Sequence, residues 1–277
     1  MGVKWSEYEI NILNDNYEMG AEYITSILDR SRVSIQHKLS RMSLFVSSET
    51  KSKISKENGL KRKLKDSYSV VDITTDIDQY SAYILGLLWT DGFISNKRKT
   101  IGITMIKEDM LDISWIFNRF GNWYINDRRR ENRRETRTLS TYNPKLLNSL
   151  ILCDFDKKSY FSPERLFSIV PNDYIKYLVR GIIDGDGCFY INQKQYTYQL
   201  TIASTYEQDW IFYIDFFSKL GFDFTIQKRI NQRSKSSIIR LCKRNMISDF
   251  SRWLYDGYDS DRIGLSRKYY KSLLFLK

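Results

Sequence analysis

A chain of 277 residues is long enough for two domains, or for one duplicated domain with an added segment. Lysine and arginine outnumber aspartate and glutamate by 44 to 33, and the resulting formal net charge of +11 favours a polyanionic partner such as nucleic acid. One histidine and three widely spaced cysteines leave little scope for histidine-based catalysis or a zinc site, and no apolar run reaches the length of a membrane span.

The first segment, residues 1–46, has the pattern of three short helices. Ser6 followed by Glu9 predicts a capping box at the start of the first helix. In the third, "RVSIQHKLSRM", the apolar residues form one stripe and leave Gln36 and Arg41 on the outward face. A trihelical unit with a polar and basic last helix resembles Myb-like helix-turn-helix domains, which implies that this segment contacts DNA through Gln36 and Arg41.

Residues 47–70 are predicted to form a basic linker. Between residues 47 and 66, seven lysines and arginines accompany three acids and few apolar residues. This composition is typical of a flexible, solvated tether. Beside a DNA-binding unit, such a tether would also follow the phosphates of the duplex.

From residue 71 the chain contains the same series of elements twice. Each copy opens with an apolar helix that ends in an acid and a glycine, "GLLWTDG" in the first and "GIIDGDG" in the second. Two strands, a helix, two more strands and a final helix are predicted to follow in both copies. The repeat therefore predicts an α+β fold of two pseudo-symmetric αββαββα units, over residues 71–158 and 172–277, joined by a connection at 159–171.

Asp91 and Asp186 end the two apolar helices, where an acid is unfavourable because a helix C-terminus already carries partial negative charge. Gly86 and Thr90 in the first helix, with an equivalent pair in the second, provide small residues four apart for close packing of the helices. Such packing would bring the two aspartates together, and two like charges at two negative helix ends favour a bound cation. Oxygen ligands with room for water and phosphate suit Mg²⁺.

The stretches "ILGLLWTDG" and "VRGIIDGDG" resemble the signature of LAGLIDADG homing endonucleases, and two copies match the monomeric class of that family. The resemblance covers most of the chain from residue 71 onward. It implies that Asp91 and Asp186 are catalytic and bind a divalent metal, Mg²⁺ or Mn²⁺, for phosphodiester hydrolysis, one aspartate for each DNA strand. The sixth motif position differs between the copies, Trp89 in one and Asp184 in the other, and Asp184 is expected to make structural hydrogen bonds.

Basic residues cluster at the same place in both copies. "DRRRENRRETR" contains six arginines, and "KRINQRSKSSIIRLCKR" contains seven basic residues and no acid. Strand pairs backed by apolar helices present their other face to solvent, which predicts a saddle of antiparallel sheets that fits the major groove. The predicted DNA contacts beyond the first segment are Arg128, Arg129, Arg130, Arg133, Arg134, Arg137, Gln193, Lys194, Gln195, Lys228, Arg229, Arg233, Lys235 and Arg240.

The resemblance also implies a basic residue close to the metals. Lys243, at the fourth strand of the second copy, is the candidate for this catalytic role, and a phosphate contact is its alternative role. In the first copy Asn143 or Lys145 would take the equivalent position.

These features together predict a site-specific, Mg²⁺-dependent DNA endonuclease that cuts both strands of a long asymmetric duplex target as a monomer. Two alternatives use the same basic surface: a DNA-binding transcription regulator without cleavage activity, and an intron splicing cofactor (maturase) that binds RNA. Retention of both motif aspartates argues against the regulator. An intein is not favoured, because the chain lacks a terminal His-Asn pair. With no apolar N-terminal segment, we expect a cytoplasmic or nucleoid-associated protein with free thiols.

Overall fold

The computed structural model describes residues 4–67, 73–95, 100–129, 134–230 and 235–276. The chain divides into two compact units, Met1–Lys65 and Asp66–Lys277. Each unit has its own cluster of buried apolar side chains. Among the described residues, no helix combines the length and the apolar character needed to cross a membrane.

The first unit is helical throughout its regular structure. Ser6 and Glu9 form the predicted capping box, in which the Ser6 hydroxyl accepts from the Glu9 amide at 3.2 Å and a Glu9 carboxylate oxygen accepts from the Ser6 amide at 2.8 Å. Its core consists of Leu13, Ile24, Leu28, Ile35 and Leu39. The helices are α1 (Glu7–Asn16), α2 (Ala21–Thr25), α3 (Arg32–Arg41) and α4 (Ser48–Ser67).

Helix α4 occupies the segment whose composition predicts a flexible tether. Lysine, glutamate, leucine and arginine are good helix formers, and their summed propensity over 20 residues favours a helix despite the low apolar content. Ile54 also gives the helix an apolar contact near Gly20, where an added Cβ would lie 3.3 Å from the Ile54 Cδ1. The expectation of a flexible chain is therefore wrong over residues 48–67.

The second unit contains the predicted repeat, element for element. The first copy consists of α5 (Gln79–Asp91), β1 (Gly92–Ser95), β2 (Thr100–Ile106), α6 (Lys107–Phe117), β3 (Tyr124–Arg128), β4 (Thr136–Thr141) and α7 (Pro144–Leu152), and is followed by the connecting helix α8 (Glu164–Ile169). The second copy consists of α9 (Ile175–Asp186), β5 (Gly187–Asn192), β6 (Thr197–Thr205), α10 (Ile211–Lys219), β7 (Thr225–Ile230), β8 (Lys235–Leu241) and α11 (Arg244–Tyr255). Two short helices, α12 (Tyr258–Asp261) and α13 (Ser266–Leu273), come after it.

Each copy forms one four-stranded antiparallel sheet, which confirms the predicted α+β class. The strand orders are β1-β2-β4-β3 and β5-β6-β8-β7, so the two sheets have the same topology. In strand β2 the large apolar side chains of Ile101, Ile103 and Met105 are buried and share the face that packs toward the helices. The opposite face of each sheet is the one we call the open face.

Helices α5 and α9 form the centre of the second unit. Nine consecutive residues of α5, from Ser81 to Trp89, are buried, and so are eight consecutive residues of α9, from Tyr177 to Asp184. A helix that is buried on all sides must be apolar on all sides or must satisfy its polar groups internally. Helix α5 is apolar on nearly all sides, whereas α9 contains buried polar groups that are satisfied by hydrogen bonds.

Candidate active site

Helices α5 and α9 approach each other through glycine. A Cβ on Gly86 would lie 3.0 Å from the backbone nitrogen of Ile182, and one on Gly181 would lie 2.8 Å from the backbone nitrogen of Leu87. A Cβ on Gly86 would also clash with the carbonyl oxygen of Leu178, and one on Gly181 with that of Tyr83, so any larger residue would push the helices apart. The close approach predicted from the spacing of small residues is confirmed.

This packing aligns the C-terminal ends of the two helices. Thr90 packs against Gly185, and a Cβ on Gly185 would lie 3.2 Å from the Oδ2 of Asp91. Asp91 therefore lies beside the last turn of α9, next to Asp186. Burial first, and the charge of the neighbouring Asp91 second, raise the pKa of the Asp186 carboxyl. The two motif aspartates form one site.

Each helix passes directly into a strand at a glycine. Gly92 has φ −73° and Gly187 has φ −78°, so neither uses the left-handed conformation common at helix ends. Glycine is required here for space, because a Cβ on Gly92 would lie 2.8 Å from the Cα of Leu88. The same distance separates a Cβ on Gly187 from the Cα of Ile183. The tight turn fixes the aspartate at the junction of helix and sheet.

Burial raises the pKa of both aspartates. For Asp186, burial first and the charge of Asp91 second raise the pKa from 3.8 to about 6, while Lys158 and Lys268 act in the opposite direction. For Asp91, burial raises the pKa, and the same two lysines oppose the rise. The site thus holds two carboxyls whose ionisation is unfavourable without added positive charge.

Two lysines that act on both aspartates, Lys158 and Lys268, are not among the residues predicted from the sequence. The Lys158 Nζ donates to the carbonyl oxygens of Thr90 at 2.6 Å, Gly92 at 2.6 Å and Leu88 at 3.2 Å. The Lys268 Nζ donates to the carbonyls at the end of α9. Each lysine therefore binds carbonyls at the junction of a motif helix and its strand, where its positive charge offsets the partial negative charge of the helix end. Burial lowers the pKa of Lys158 to about 8.

A sequence signal for these lysines exists. Lys158 stands in "KKSY" and Lys268 in "RKYY", so a basic residue, a lysine, any residue and a tyrosine recur after the last long helix of each copy. The pattern is short, and the two lysines are 67 and 82 residues beyond their aspartates, which is why it carries little weight before the fold is known.

The residues predicted for this basic role are exposed or cap a helix. Lys243 is the N-cap residue of α11, and its side chain is exposed. Asn143 caps α7 by accepting from the Leu146 amide at 3.1 Å, and Lys145 is exposed. The lysine charges that act on both Asp91 and Asp186 are those of Lys158 and Lys268, and the catalytic role of Lys243 stays a prediction.

Asp184 has the structural role that the motif comparison predicts. It is fully buried and accepts from the Tyr83 hydroxyl at 2.8 Å, the Tyr255 hydroxyl at 3.0 Å and the Leu265 amide at 2.7 Å. Its bonds tie α9 to α5 and to the segment that precedes α13. The equivalent residue of the first copy, Trp89, is buried against the Phe155 ring instead, at a centroid distance of 6.4 Å.

The donor set of the site suits a hard divalent cation. Within the described part of the chain, no group of three or more histidine, cysteine, aspartate or glutamate side chains could hold a metal, so protein carboxylates would come from Asp91 and Asp186 alone. A pocket of about 60 Å³, lined by Asp186, Thr90 and Lys158 among others, leaves room for water. Two carboxylates completed by water and phosphate oxygens fit Mg²⁺ or Mn²⁺.

The open face of the second sheet carries two of the predicted DNA contacts. Arg240 points away from the core, because its neighbours Ile239 and Leu241 are buried, and Arg229 shares its face by the register of β7 and β8. Lys228 lies in register with Ser237 on the helix side, where its amine is 4.6 Å from the Tyr206 ring centroid. Lys235 lies over the same ring at 5.9 Å.

In the first sheet, some of the basic side chains form ion pairs with acidic side chains of the same copy. Arg137 donates to both carboxylate oxygens of Asp127, at 2.7 and 2.8 Å, and Lys107 pairs with Asp127 and Glu135. Arg128 is exposed on the open face, opposite Thr136. Of the other predicted contacts, Arg129, Arg134, Gln193, Lys194, Gln195, Gln36 and Arg41 are exposed, whereas Arg130, Arg133 and Arg233 lie outside the described residues.

The raised pKa of Asp186 predicts how stability depends on pH. Because the folded pKa of about 6 exceeds the ordinary 3.8, the native state binds more protons between these values, so stability falls as pH rises through this window. The loss should total about 3 kcal/mol at neutral pH, at 1.36 kcal/mol per pKa unit. Asp186→Asn should therefore raise the metal-free unfolding free energy at pH 8 and flatten its pH profile, as measured by urea denaturation. An unchanged profile would show that Asp186 is ionised without cost.

A scan against family models finds none that matches this sequence, and no curated protein matches it. Solved structures similar to the chain include I-DmoI in complex with DNA and Ca, with 16% identity over 75% of this chain and 100% of that chain, at a TM-score of 0.47. The I-LtrWI LAGLIDADG homing endonuclease bound to target DNA is 15% identical in sequence. The match covers 72% of this chain and 90% of that chain, at a TM-score of 0.45. The I-SmaMI LAGLIDADG homing endonuclease bound to cleaved DNA is 14% identical in sequence. The match covers 73% of this chain and 88% of that chain, at a TM-score of 0.43.

Proposed function

We propose that this chain is a LAGLIDADG homing endonuclease of the two-motif class, which cuts both strands of a specific DNA duplex with Mg²⁺ or Mn²⁺ as cofactor and acts as a monomer. One observation supports this most directly. The glycine-packed pair α5 and α9 brings Asp91 and Asp186, separated by 95 residues in sequence, to one site between two sheets of equal topology. Two carboxylates, one from each copy, match two scissile phosphates, one on each strand.

The bound metal would activate water and stabilise the leaving oxygen of each phosphodiester. Asp91 and Asp186 would hold it. Lys158 and Lys268 fix the ends of the motif helices through their hydrogen bonds to backbone carbonyls, and so they position the aspartates. Their charges also favour the ionised carboxylates that a metal needs and attract the phosphate backbone.

The open faces of the sheets would contact the duplex. In the second sheet Arg229 and Arg240 can reach phosphates or guanine edges, and in the first sheet Arg128 takes this part. Arg137 is bound to Asp127 in the free protein, so a DNA contact by Arg137 would require breaking that ion pair.

The test is cleavage of a randomised duplex library in Mg²⁺, followed by sequencing of the ends. We expect one enriched, asymmetric sequence cut on both strands. Specific binding without cutting would favour the transcription regulator, and binding to structured intron RNA in preference to any duplex would favour the maturase. Either result would overturn the endonuclease assignment.

Cys188 provides a second check on where DNA binds. Its thiol is exposed on β5, on the open face opposite Thr201, whereas Cys153 is buried. In a Cys242→Ser background, target duplex without Mg²⁺ should slow alkylation of Cys188 by N-ethylmaleimide at least ~10-fold, because bound DNA covers that face. Polyglutamate of matched charge is the control for a merely electrostatic effect. Equal alkylation rates with and without DNA would show that the open face is not the binding surface.

The helical first unit is proposed to extend the bound site. Its core shares no residue with that of the second unit, so a chain that begins at Asp66 should fold and still cut in Mg²⁺. Loss of a linked binding unit should weaken affinity on the order of 10²-fold and shorten the protected footprint. Gln36→Ala and Arg41→Ala, on the exposed face of α3, should reproduce part of this loss without moving the cut. An identical footprint after truncation would mean that the unit serves another partner.

A further inference from the structure

The open faces carry different residues at equivalent positions beside the aspartates. We define the inner row of each sheet as four residues, one from each strand, that are paired in register on the open face. The row begins with the residue two positions after the motif aspartate. The inner row of the first sheet is Phe93, Gly102, Ser140 and Tyr124, and that of the second is Cys188, Thr201, Arg240 and Thr225. One row thus begins with an aromatic ring, and the other contains a guanidinium group.

Phe93 is exposed although it is apolar and lies on a sheet. Its side chain is 40% exposed, and its ring lies across the neighbouring strand at Gly102, where an added Cβ would be 2.5 Å from the Phe93 Cζ and 3.0 Å from Cε1. Only glycine at this position lets the ring lie flat against the strand. In the second sheet the equivalent pair is Cys188 and Thr201, so an aromatic ring is missing from this position of the row.

The position of Phe93 places it close to the centre of any duplex held at the site. It follows Asp91 by two residues, through the tight turn at Gly92. Apart from Gly102, and from Ile106 at the far end of β2, the other residues of β1 and β2 on this face are Ser95, Thr100 and Thr104, which are polar and short. An apolar ring among hydroxyl groups offers a contact that hydrogen bonding cannot supply. In the major groove, the apolar group that distinguishes one base pair from the others is the C5-methyl group of thymine.

We propose that Phe93 is a specificity-determining residue, which contacts the methyl group of a thymine beside the cleavage centre in the half of the target bound by the first copy. The inference rests on the proposed endonuclease function. It gives the two half-targets different chemistry at equivalent positions: a methyl group under Phe93, and a hydrogen-bonding base edge or phosphate under Arg240. The target can then bind in one orientation only.

The test uses a duplex selected from the randomised library by cleavage, with each thymine replaced in turn by uracil, which lacks only the methyl group. An iron–EDTA group on the exposed Cys242, in a Cys188→Ser background, marks the half-target under the second sheet. We expect one substitution near the centre of the opposite half to weaken binding about fourfold, the effect of burying one methyl-sized group. Phe93→Ala should bind the thymine and uracil duplexes equally, and Phe93→Leu should retain part of the difference.

Tyr190→Ala is the matched control, because Tyr190 is an exposed aromatic residue on the open face of the second sheet. It should leave the sensitivity of the first half-target to uracil unchanged. The proposal is overturned if no uracil substitution in that half has an effect, or if Phe93→Ala and the wild type discriminate equally. If no duplex is selected at all, the proposed endonuclease function is wrong. The proposal for Phe93, which rests on that function, then fails as well.

Discussion

Replacing Asp91 or Asp186 with asparagine should reduce double-strand cleavage by at least ~10³-fold while leaving DNA binding intact. Asparagine has the shape of aspartate but lacks the negative charge that holds a divalent cation, and the loss of metal catalysis costs several kcal/mol of transition-state stabilisation. Each aspartate belongs to one copy, so each single variant should be unable to cut both strands. Plasmid linearisation and a gel-shift titration on the selected target measure the two properties separately.

Asp249→Asn is the matched control, since Asp249 is an exposed aspartate on the surface of α11. It should cut like the wild type. The folded state of the active-site variants can be checked by thermal unfolding, where Asp186→Asn should be at least as stable as the wild type because a costly buried charge is removed. Normal cleavage by either active-site variant would refute the two-carboxylate site.

Asp184→Ala should destabilise the protein by about 3–5 kcal/mol, although Asp184 is only two residues from Asp186. The change leaves three buried donors, the hydroxyls of Tyr83 and Tyr255 and the Leu265 amide, without their acceptor. Each unsatisfied buried group costs about 1–3 kcal/mol. Urea unfolding with an unchanged m-value should show the loss as a lower midpoint.

Asp215→Ala, at an exposed position of α10, provides the comparison and should change stability by less than about 0.5 kcal/mol. Asp184→Ala and Asp186→Asn then separate two roles within the same motif: Asp184 stabilises the fold, and Asp186 is needed for cleavage. If Asp184→Ala unfolds at the wild-type midpoint, its buried hydrogen bonds contribute nothing to the fold.

The sequence by itself determined the order of the elements and the identity of the paired aspartates. Helices and strands follow from apolar residues at periods of 3.6 and 2, which are local properties of the chain. The duplication made the inference stronger, because Asp91 and Asp186 end equivalent helices and Gly86 and Gly181 occupy equivalent positions. Even the close packing of α5 and α9 could be predicted, since small residues four apart lie on one helix face.

Only the tertiary structure decided which charged side chains complete the site. Lys158 reaches carbonyls about 70 residues away in sequence, and the bond from Leu265 to Asp184 spans 81 residues. Such contacts leave no periodic pattern, because they depend on how separate elements pack. The same reason explains Arg137, which sequence places on the DNA surface and the fold pairs with Asp127 across two strands. The sequence shows which residues are charged, but strand register and packing decide which way each charged side chain points.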